Sequence, residues 1–201
     1  QNYTFDAVLY ATGRRPNTTN IGLENTDITT NERGAIVVND TCESSVPGVY
    51  AVGDVNGGPQ FTYISLDDFR IVFGALTGNG HYTLKVRKNI PYTTFLTPPL
   101  ARVGLTEEEA INKGYTVKTN ELLVATMPRA HVNDNLKGAF KIVVNTENNL
   151  ILGATLYSQS AEELINLIKM AMDNNIPYTY FKNQIFTHPT MAENLNDLCN
   201  F

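Results

Sequence analysis

Cysteine is scarce in this sequence: its 201 residues include two, Cys42 and Cys199, far apart and in unlike surroundings. That excludes a disulfide framework and offers no metal-ligand spacing, so no metal is expected. Cys199 lies close to the C-terminal end, where a reactive thiol and an idle, partly buried one both fit the sequence. Long apolar runs are missing too. None approaches the roughly 20 residues that span a bilayer. The opening Gln1-Asn2-Tyr3-Thr4 has neither the basic nor the apolar region of a secretory signal. A soluble, cytoplasmic protein with no membrane partner is expected, and the Asn-x-Thr sequons at Asn2, Asn17 and Asn39 then read as chance matches. Positive charge is not in excess either, since the formal net charge is −5. The longest like-charge run, Glu107-Glu108-Glu109, sits at an expected helix start, where acids complement the dipole. Nucleic acid is not an expected partner.

With 42% hydrophobic and 17% charged side chains, the chain can bury a core in one or two domains. It opens without methionine on a strand-like run, Phe5-Asp6-Ala7-Val8-Leu9-Tyr10, that leads straight to Ala11-Thr12-Gly13. A piece of a larger fold is expected. Up to about residue 86 the pattern is short strands and turns, then one helix. Ala35-Ile36-Val37-Val38 and Gly48-Val49-Tyr50-Ala51-Val52 read as strands, the second buried and ending at Gly53-Asp54, the place where an open α/β sheet meets a ligand. Ser65-Leu66-Asp67-Asp68 begins a helix through Phe69, Val72, Phe73 and Leu76, which Gly78 and Gly80 stop.

Beyond the polar, basic stretch Lys85 to Asn89 the pattern changes. Strands are expected at Tyr92–Leu96 and Ala101–Leu105 around Pro98-Pro99, then a capped helix ending at Gly114 and extended chain from Tyr115 to Met127. Ala139–Val144 and Leu150–Leu156 form a hairpin across Asn145 to Asn149. From Ser160 to Asn174, Ala161, Leu164, Ile165, Ile168, Ala171 and Met172 recur at intervals of three and four, an amphipathic helix whose apolar stripe covers one face of an antiparallel sheet. This second unit reads as α+β.

The segment Thr187-His188-Pro189-Thr190-Met191-Ala192-Glu193 places an imidazole, a proline and a carboxylate at a helix entry. A carboxylate that orients a histidine and keeps it basic makes a proton-transfer pair. Thr190-x-x-Glu193 also has the form of a capping box, as do Thr106-x-x-Glu109 and Ser160-x-x-Glu163, which have no histidine beside them. The two roles are compatible, since one carboxylate oxygen can reach a backbone amide while the other faces the ring. Gly53-Asp54 is open in the same way. It is an ordinary turn, or a glycine that lets backbone approach a ligand beside an acid that accepts from a polyol hydroxyl.

Taken together, four segments resemble the flavin-dependent pyridine nucleotide-disulfide oxidoreductases, the family of glutathione reductase, dihydrolipoamide dehydrogenase and mercuric reductase. Ala11-Thr12-Gly13-Arg14-Arg15-Pro16-Asn17 looks like the crossing from the nicotinamide domain back to the flavin domain, and Val49-Tyr50-Ala51-Val52-Gly53-Asp54 like the second flavin motif. Thr97-Pro98 with Val103-Gly104-Leu105-Thr106-Glu107 looks like the start of the interface domain, and His188-Pro189-Thr190 with Glu193 like the C-terminal signature. The resemblance implies an α+β interface (dimerisation) domain, an antiparallel sheet with flanking helices, preceded by the rear of an α/β FAD-binding domain. It places the end of a nicotinamide-domain strand at 1–13, the C-terminal part of the FAD domain at 14–86 and the interface domain at 87–201.

By the same resemblance, Gly53, Asp54, Ser65 and Leu66 are cofactor-binding. Asp54 meets the ribityl chain of FAD, and the helix after Ser65 points its positive end at the flavin. His188 is the acid/base, Glu193 its orienting partner, the His188-Pro189 bond is cis, and the pair acts on the redox disulfide of the other subunit of a homodimer. FAD and NAD(P)H are the implied cofactors, and both need the missing Gly-x-Gly-x-x-Gly loop, Cys-x4-Cys pair and nicotinamide domain, so this chain alone is expected to be inactive. The implied substrate is a small-molecule disulfide or oxidant. A C-terminal cysteine pair is lacking, which disfavours mercury, and Gln60 to Arg70 looks closer to bacterial flavoenzymes that resist reactive chlorine or reduce hypothiocyanous acid. Two other readings stay open: a non-catalytic dimerisation module, and a flavoprotein oxidase or reductase without disulfide chemistry.

Overall fold

A computed structural model describes residues 2–201. The chain divides into two compact units, residues 1–87 and 88–201. No helix among the described residues is long and apolar enough to cross a membrane.

The first unit contains one long helix, α1 (Thr62–Leu76), and short 3-10 turns at Leu23–Asn25 and Gly53–Asn56. The strands expected here do not form as ladders. Residues 2–10 carry no strand, and Leu9 and Tyr10 are 90% and 85% exposed. Ile36 and Tyr50 make single bridges, to Thr30 and Glu43. A strand needs a neighbour that takes its backbone donors and acceptors in succession, whereas Ile36 and Val37 donate to different segments, at Val55 and Thr29, and Ala51 donates to Cys42, so these bonds do not extend into ladders. Nor is Gly48–Val52 buried throughout, because Ala51 is 5% exposed while Val49 and Val52 are 39% and 41%.

Helix α1 starts at Thr62, not Ser65. Phe61 is extended, and its carbonyl takes the amides of both Ile64 and Ser65, which draws those residues into the first turn. The buried face of α1 carries Ile64, Asp68 and Ile71, whereas Leu66, Phe69, Phe73 and Leu76 line the exposed side.

The second unit is α+β. Its five-stranded antiparallel sheet has the order β1-β2-β5-β4-β3, with β1 Tyr92–Thr94, β2 Leu100–Gly104, β3 Val117–Leu123, β4 Ala139–Asn145 and β5 Ile151–Tyr157. Alternate residues Ala101, Val103, Phe140, Ile142, Ala154 and Leu156 enter one apolar core with Leu164, Ile165 and Ile168 of α4 (Ala161–Asp173), as period-2 strands and a period-3.6 helix require. Phe140 is fully buried at the centre. Phe140→Ala is therefore expected to cost about 3–5 kcal/mol, read as a lower denaturant midpoint at unchanged slope. A loss below about 1 kcal/mol would mean that the site collapses around the deletion.

Between β2 and α2 (Glu107–Asn112) the chain turns closely against β5. A Cβ on Gly104 would meet the Leu152 carbonyl at 2.2 Å, and one on Gly153 the Leu105 carbonyl at 2.1 Å, so only glycine permits this approach. Helix α2 has the expected capping box, with Thr106 Oγ1 accepting from the Glu109 amide at 3.1 Å and Glu109 Oε2 accepting from the Thr106 amide at 2.7 Å. The box expected at Ser160 is absent. Ser160 is left-handed (φ 67°), a conformation that turns its hydroxyl away from the third helical amide, and its carbonyl accepts from Glu163 and Leu164 instead.

Two short helices, α3 (Pro128–Val132) and α5 (Tyr178–Asn183), precede the C-terminal segment, where a 3-10 turn (Ala192–Asn194) runs into α6 (Leu195–Leu198). Met191, Leu195, Leu198 and Cys199 enter the main core, and Asn120 of β3 donates to the Leu198 carbonyl at 2.9 Å. The end of the chain is thus fixed beneath the sheet.

Candidate functional site

That anchoring positions the histidine. Met191 and Leu195 are buried, and Asn194, itself 3% exposed, donates through Nδ2 to the Thr190 and Met191 carbonyls at 3.1 Å each. The loop before α6 is held from inside while its outer edge carries His188. The His188-Pro189 peptide bond is cis. His188 Nδ1 lies 2.7 Å from Glu193 Oε2, and Glu193 Oε1 accepts from the Thr190 amide at 3.0 Å. Thr190 Oγ1 in turn accepts from the Glu193 amide at 3.2 Å. Cap and imidazole contact therefore coexist on one carboxylate, each using a different oxygen.

The side chain of Glu193 is 19% exposed and that of His188 is 68%. Partial burial pushes the Glu193 carboxyl up, but the His188 hydrogen bond, the Thr190 amide and the charge of a protonated ring outweigh it and hold the group below its ordinary value. With Nδ1 facing the carboxylate as donor, Nε2 carries the lone pair of the neutral ring, and it has no hydrogen-bond partner among the described residues. The arrangement can pass a proton at Nε2 and stabilise the imidazolium that results.

The sign of the Glu193 shift sets a pH dependence. A carboxyl with a depressed folded value contributes stability that is fully present above its unfolded value and lost as pH falls through the folded one. Glu193→Gln should therefore lower the melting temperature at pH 7, and its gap from wild type should close as the pH drops below 4.5, the ordinary value of a glutamate. A gap that stays constant from pH 7 to about 3 would remove the carboxylate from the explanation.

In the first unit, Gly53 is buried with φ +72° and packs against Ser65, whose Oγ a Cβ on Gly53 would meet at 2.5 Å. Asp54, whose side chain is 49% exposed, has one distant ion contact, to Arg14 at 3.8 Å. Leu66 is on the exposed side of α1, 51% exposed. Sequence reasoning missed the residue that organises this turn. Asp68 is fully buried, and its Oδ2 accepts from the Gly53 amide at 2.7 Å and from Asn56 Nδ2 at 2.9 Å, while its Oδ1 pairs with Arg87. Arg87 also reaches Asp67 at 2.7 Å, to which Tyr82 donates at 3.1 Å. The Asp67-Asp68 doublet read as part of a helix start, and nothing local marked one of the two as buried.

The donors and acceptors on show suit a flavin nucleotide. Asp54 holds exposed acceptors for a polyol, and α1, 15 residues long, begins with no side-chain cap and no acid in its first turn, which leaves its positive end unneutralised. Ser65 lies inside α1 and is not its first residue, so its contribution here is packing against Gly53. The two thiols are fully buried, and burial pushes Cys42 up to about 11 and Cys199 up to about 12, values that keep both protonated and unreactive at neutral pH.

Comparison with known proteins places the chain in a family. The pattern described as pyridine nucleotide-disulphide oxidoreductase, dimerisation domain, matches residues 90–199, and pyridine nucleotide-disulphide oxidoreductase matches residues 1–68. A probable pyridine nucleotide-disulfide oxidoreductase, RclA of Escherichia coli (strain K12), is 48% identical over 193 residues, covering 96% of this chain and 44% of that protein. A mercuric reductase of Staphylococcus aureus is 36% identical over 190 residues, 94% of this chain and 35% of that protein. The solved structure of the HOCl-induced flavoprotein disulfide reductase RclA from Escherichia coli superposes with a TM-score of 0.91 at 47% identity, over 94% of this chain and 43% of that one. This chain thus spans less than half the length of these relatives.

Proposed function

This chain belongs to the pyridine nucleotide-disulphide oxidoreductase family, and from that premise we propose that it forms the C-terminal part of an NAD(P)H-dependent, FAD-containing disulfide reductase that works as a homodimer. Residues 1–13 belong to the end of the nicotinamide domain, where a strand would need the rest of that domain beside it, 14–86 complete the FAD domain and 87–201 make the dimer interface. The observation that carries the reading is the His188 to Glu193 contact of 2.7 Å on an exposed ring whose Nε2 is open.

Bound FAD would supply two-electron transfer between the nicotinamide and a redox disulfide located outside this chain. Asp54 would accept from the ribityl hydroxyls, Gly53 would let the backbone come close, Ser65 supports Gly53 from α1 and Leu66 would offer apolar contact. His188, reaching the partner subunit's disulfide, takes a proton at Nε2 from an attacking thiol and returns it to the sulfur that leaves as the S–S bond breaks. Glu193 holds the ring and offsets the charge of the imidazolium between those transfers. Both partners, the histidine and the disulfide, are needed at once, which ties activity to dimerisation.

The substrate is a small disulfide or oxidant rather than mercury, in keeping with the similarity to an HOCl-induced reductase. The protein acts in the cytoplasm, away from membranes and nucleic acid. Sedimentation of the 201-residue chain tests the interface part: a dimer at micromolar concentration is expected, and a monomer there contradicts it. A colourless purified chain, free of FAD, fits a dimerisation module whose flavin contacts are completed elsewhere in the protein. A yellow one shows that residues 14–86 retain the flavin themselves.

A further inference from the structure

In the second unit, a cleft of about 550 Å³ opens beside the Gly104–Leu105 turn and the β4–β5 hairpin. Its polar lining includes Lys88, Lys113, Tyr115, Asn145, Asn148 and Asn175, and no Asp or Glu lines it. In a protein of net charge −5 this is a local inversion of sign. Lys113 makes no ion pair among the described residues, and Lys88 Nζ donates only to the Asp173 backbone carbonyl, at 3.2 Å. The nearby carboxylates are already engaged. That of Asp173 is held by Asn89 at 2.9 Å and by Lys169, Glu109 closes the Thr106 cap at 2.7 Å, and Glu147 accepts from Thr116 at 3.4 Å.

Asn145 is the decisive group. It is 3% exposed, and its Oδ1 accepts from the Glu147 amide at 2.9 Å, which closes the hairpin turn and fixes which side of the amide carries nitrogen. Its NH2 donates to no group among the described residues. The fully sealed, unpartnered side-chain polar atom among the described residues is Glu162 Oε2, away from the cleft, so the Asn145 NH2 keeps some exposure, and Asn145 is one of the residues that line the cleft. Leaving a mostly buried amide donor unpaired costs free energy that an acceptor in the cleft would recover. The rest of the lining includes Ile90, Leu150 and Met172, an apolar surface that a bare inorganic ion cannot use.

We propose that this cleft is a binding site for a small organic phosphate, its oxyanion received by Lys88, Lys113 and the Asn145 amide and its less polar body resting on Ile90, Leu150 and Met172. The site lies wholly within residues 88–201 and does not depend on the redox reading above.

The test titrates the 201-residue chain with AMP, and separately with inorganic phosphate, by calorimetry and by the NMR signal of the Asn145 side-chain NH2. Saturable AMP binding that shifts this signal is expected, with inorganic phosphate at least about tenfold weaker. Lys113→Glu, at an exposed position, should weaken AMP binding by about tenfold or more through charge reversal. Asn145→Asp keeps the acceptor for Glu147 and replaces the donor with a repelling oxygen, so it should abolish binding, and Lys113→Glu decides the matter where that buried charge unfolds the hairpin. No AMP binding at millimolar concentration, binding that Lys113→Glu leaves unchanged, or equal affinity for inorganic phosphate would each overturn the proposal.

Discussion

Replacing His188 with alanine in the complete flavoprotein is expected to slow reduction of its disulfide substrate by about 10²–10⁴-fold, the usual contribution of a positioned acid/base, while flavin reduction by NAD(P)H proceeds at its normal rate. The split follows from where the proton is handled. His188 is 68% exposed, and the segment that carries it is anchored by Met191 and Leu195 and not by the ring, so the deletion leaves the core intact. Glu193→Gln should also slow this step, since with its oxygen on the Thr190 amide its NH2 faces Nδ1 and favours the tautomer without a lone pair at Nε2, and no charge is left to offset an imidazolium. Rapid-mixing absorbance separates the half-reactions. Equal slowing of both would remove His188 from the thiol step, and unchanged turnover would leave Thr190-x-x-Glu193 as a helix cap alone.

The second large effect is expected at Asp68. Asp68→Ala deletes the acceptor of the Gly53 amide and of Asn56, and it leaves Arg87, whose side chain is 9% exposed, without its most buried partner. Removing one member of a buried ion pair typically costs about 3–5 kcal/mol, and the turn carrying Asp54 loses its inner support. Weaker FAD retention is expected with it, measured as the absorbance ratio of flavin to protein after dialysis. Asp68→Asn separates charge from shape. Its carbonyl oxygen can still accept from Gly53 and Asn56, but the NH2 then faces Arg87, so it should recover part of the flavin binding and little of the stability. Full flavin occupancy in both variants would detach Asp68 from the cofactor turn.

The sequence revealed most where the signal is local. The 3-and-4 spacing of Leu164, Ile165, Ile168 and Ala171 predicted α4, the two runs on either side of Asn145 to Asn149 predicted β4 and β5 as a hairpin, and the Thr106 to Glu109 box predicted the start of α2, all of them elements of the α+β second unit. It failed where structure depends on distant partners. Phe5–Tyr10 reads as a strand, but a strand exists only where another lies beside it. Phe69, Phe73 and Leu76 look like a core stripe and are exposed, while the buried side of α1 carries an acid. Asp68 could not be recognised because its partners Gly53, Asn56 and Arg87 lie 15, 12 and 19 residues away. Ser160 has the residue type of a cap and the wrong backbone conformation for one, which sequence spacing does not encode.

At the candidate site the balance was similar. His188 and Glu193 are five residues apart and were legible as a pair, and the division of the two carboxylate oxygens followed from the overlap of two local motifs. Asn194, which pins the loop from inside, was hidden because an asparagine at a helix start reads as solvent-facing unless the fold buries it.

The central claim, that this histidine serves a redox disulfide beside a flavin, is tested most directly by anaerobic NAD(P)H titration of the complete protein, followed by absorbance in wild type and in His188→Ala. The expected result is a long-wavelength thiolate-to-flavin charge-transfer band in the two-electron-reduced wild type, with a changed pH dependence once His188 no longer shares the thiol's proton. Flavin bleaching with no such band at any pH would contradict the claim and leave a flavoprotein without disulfide chemistry.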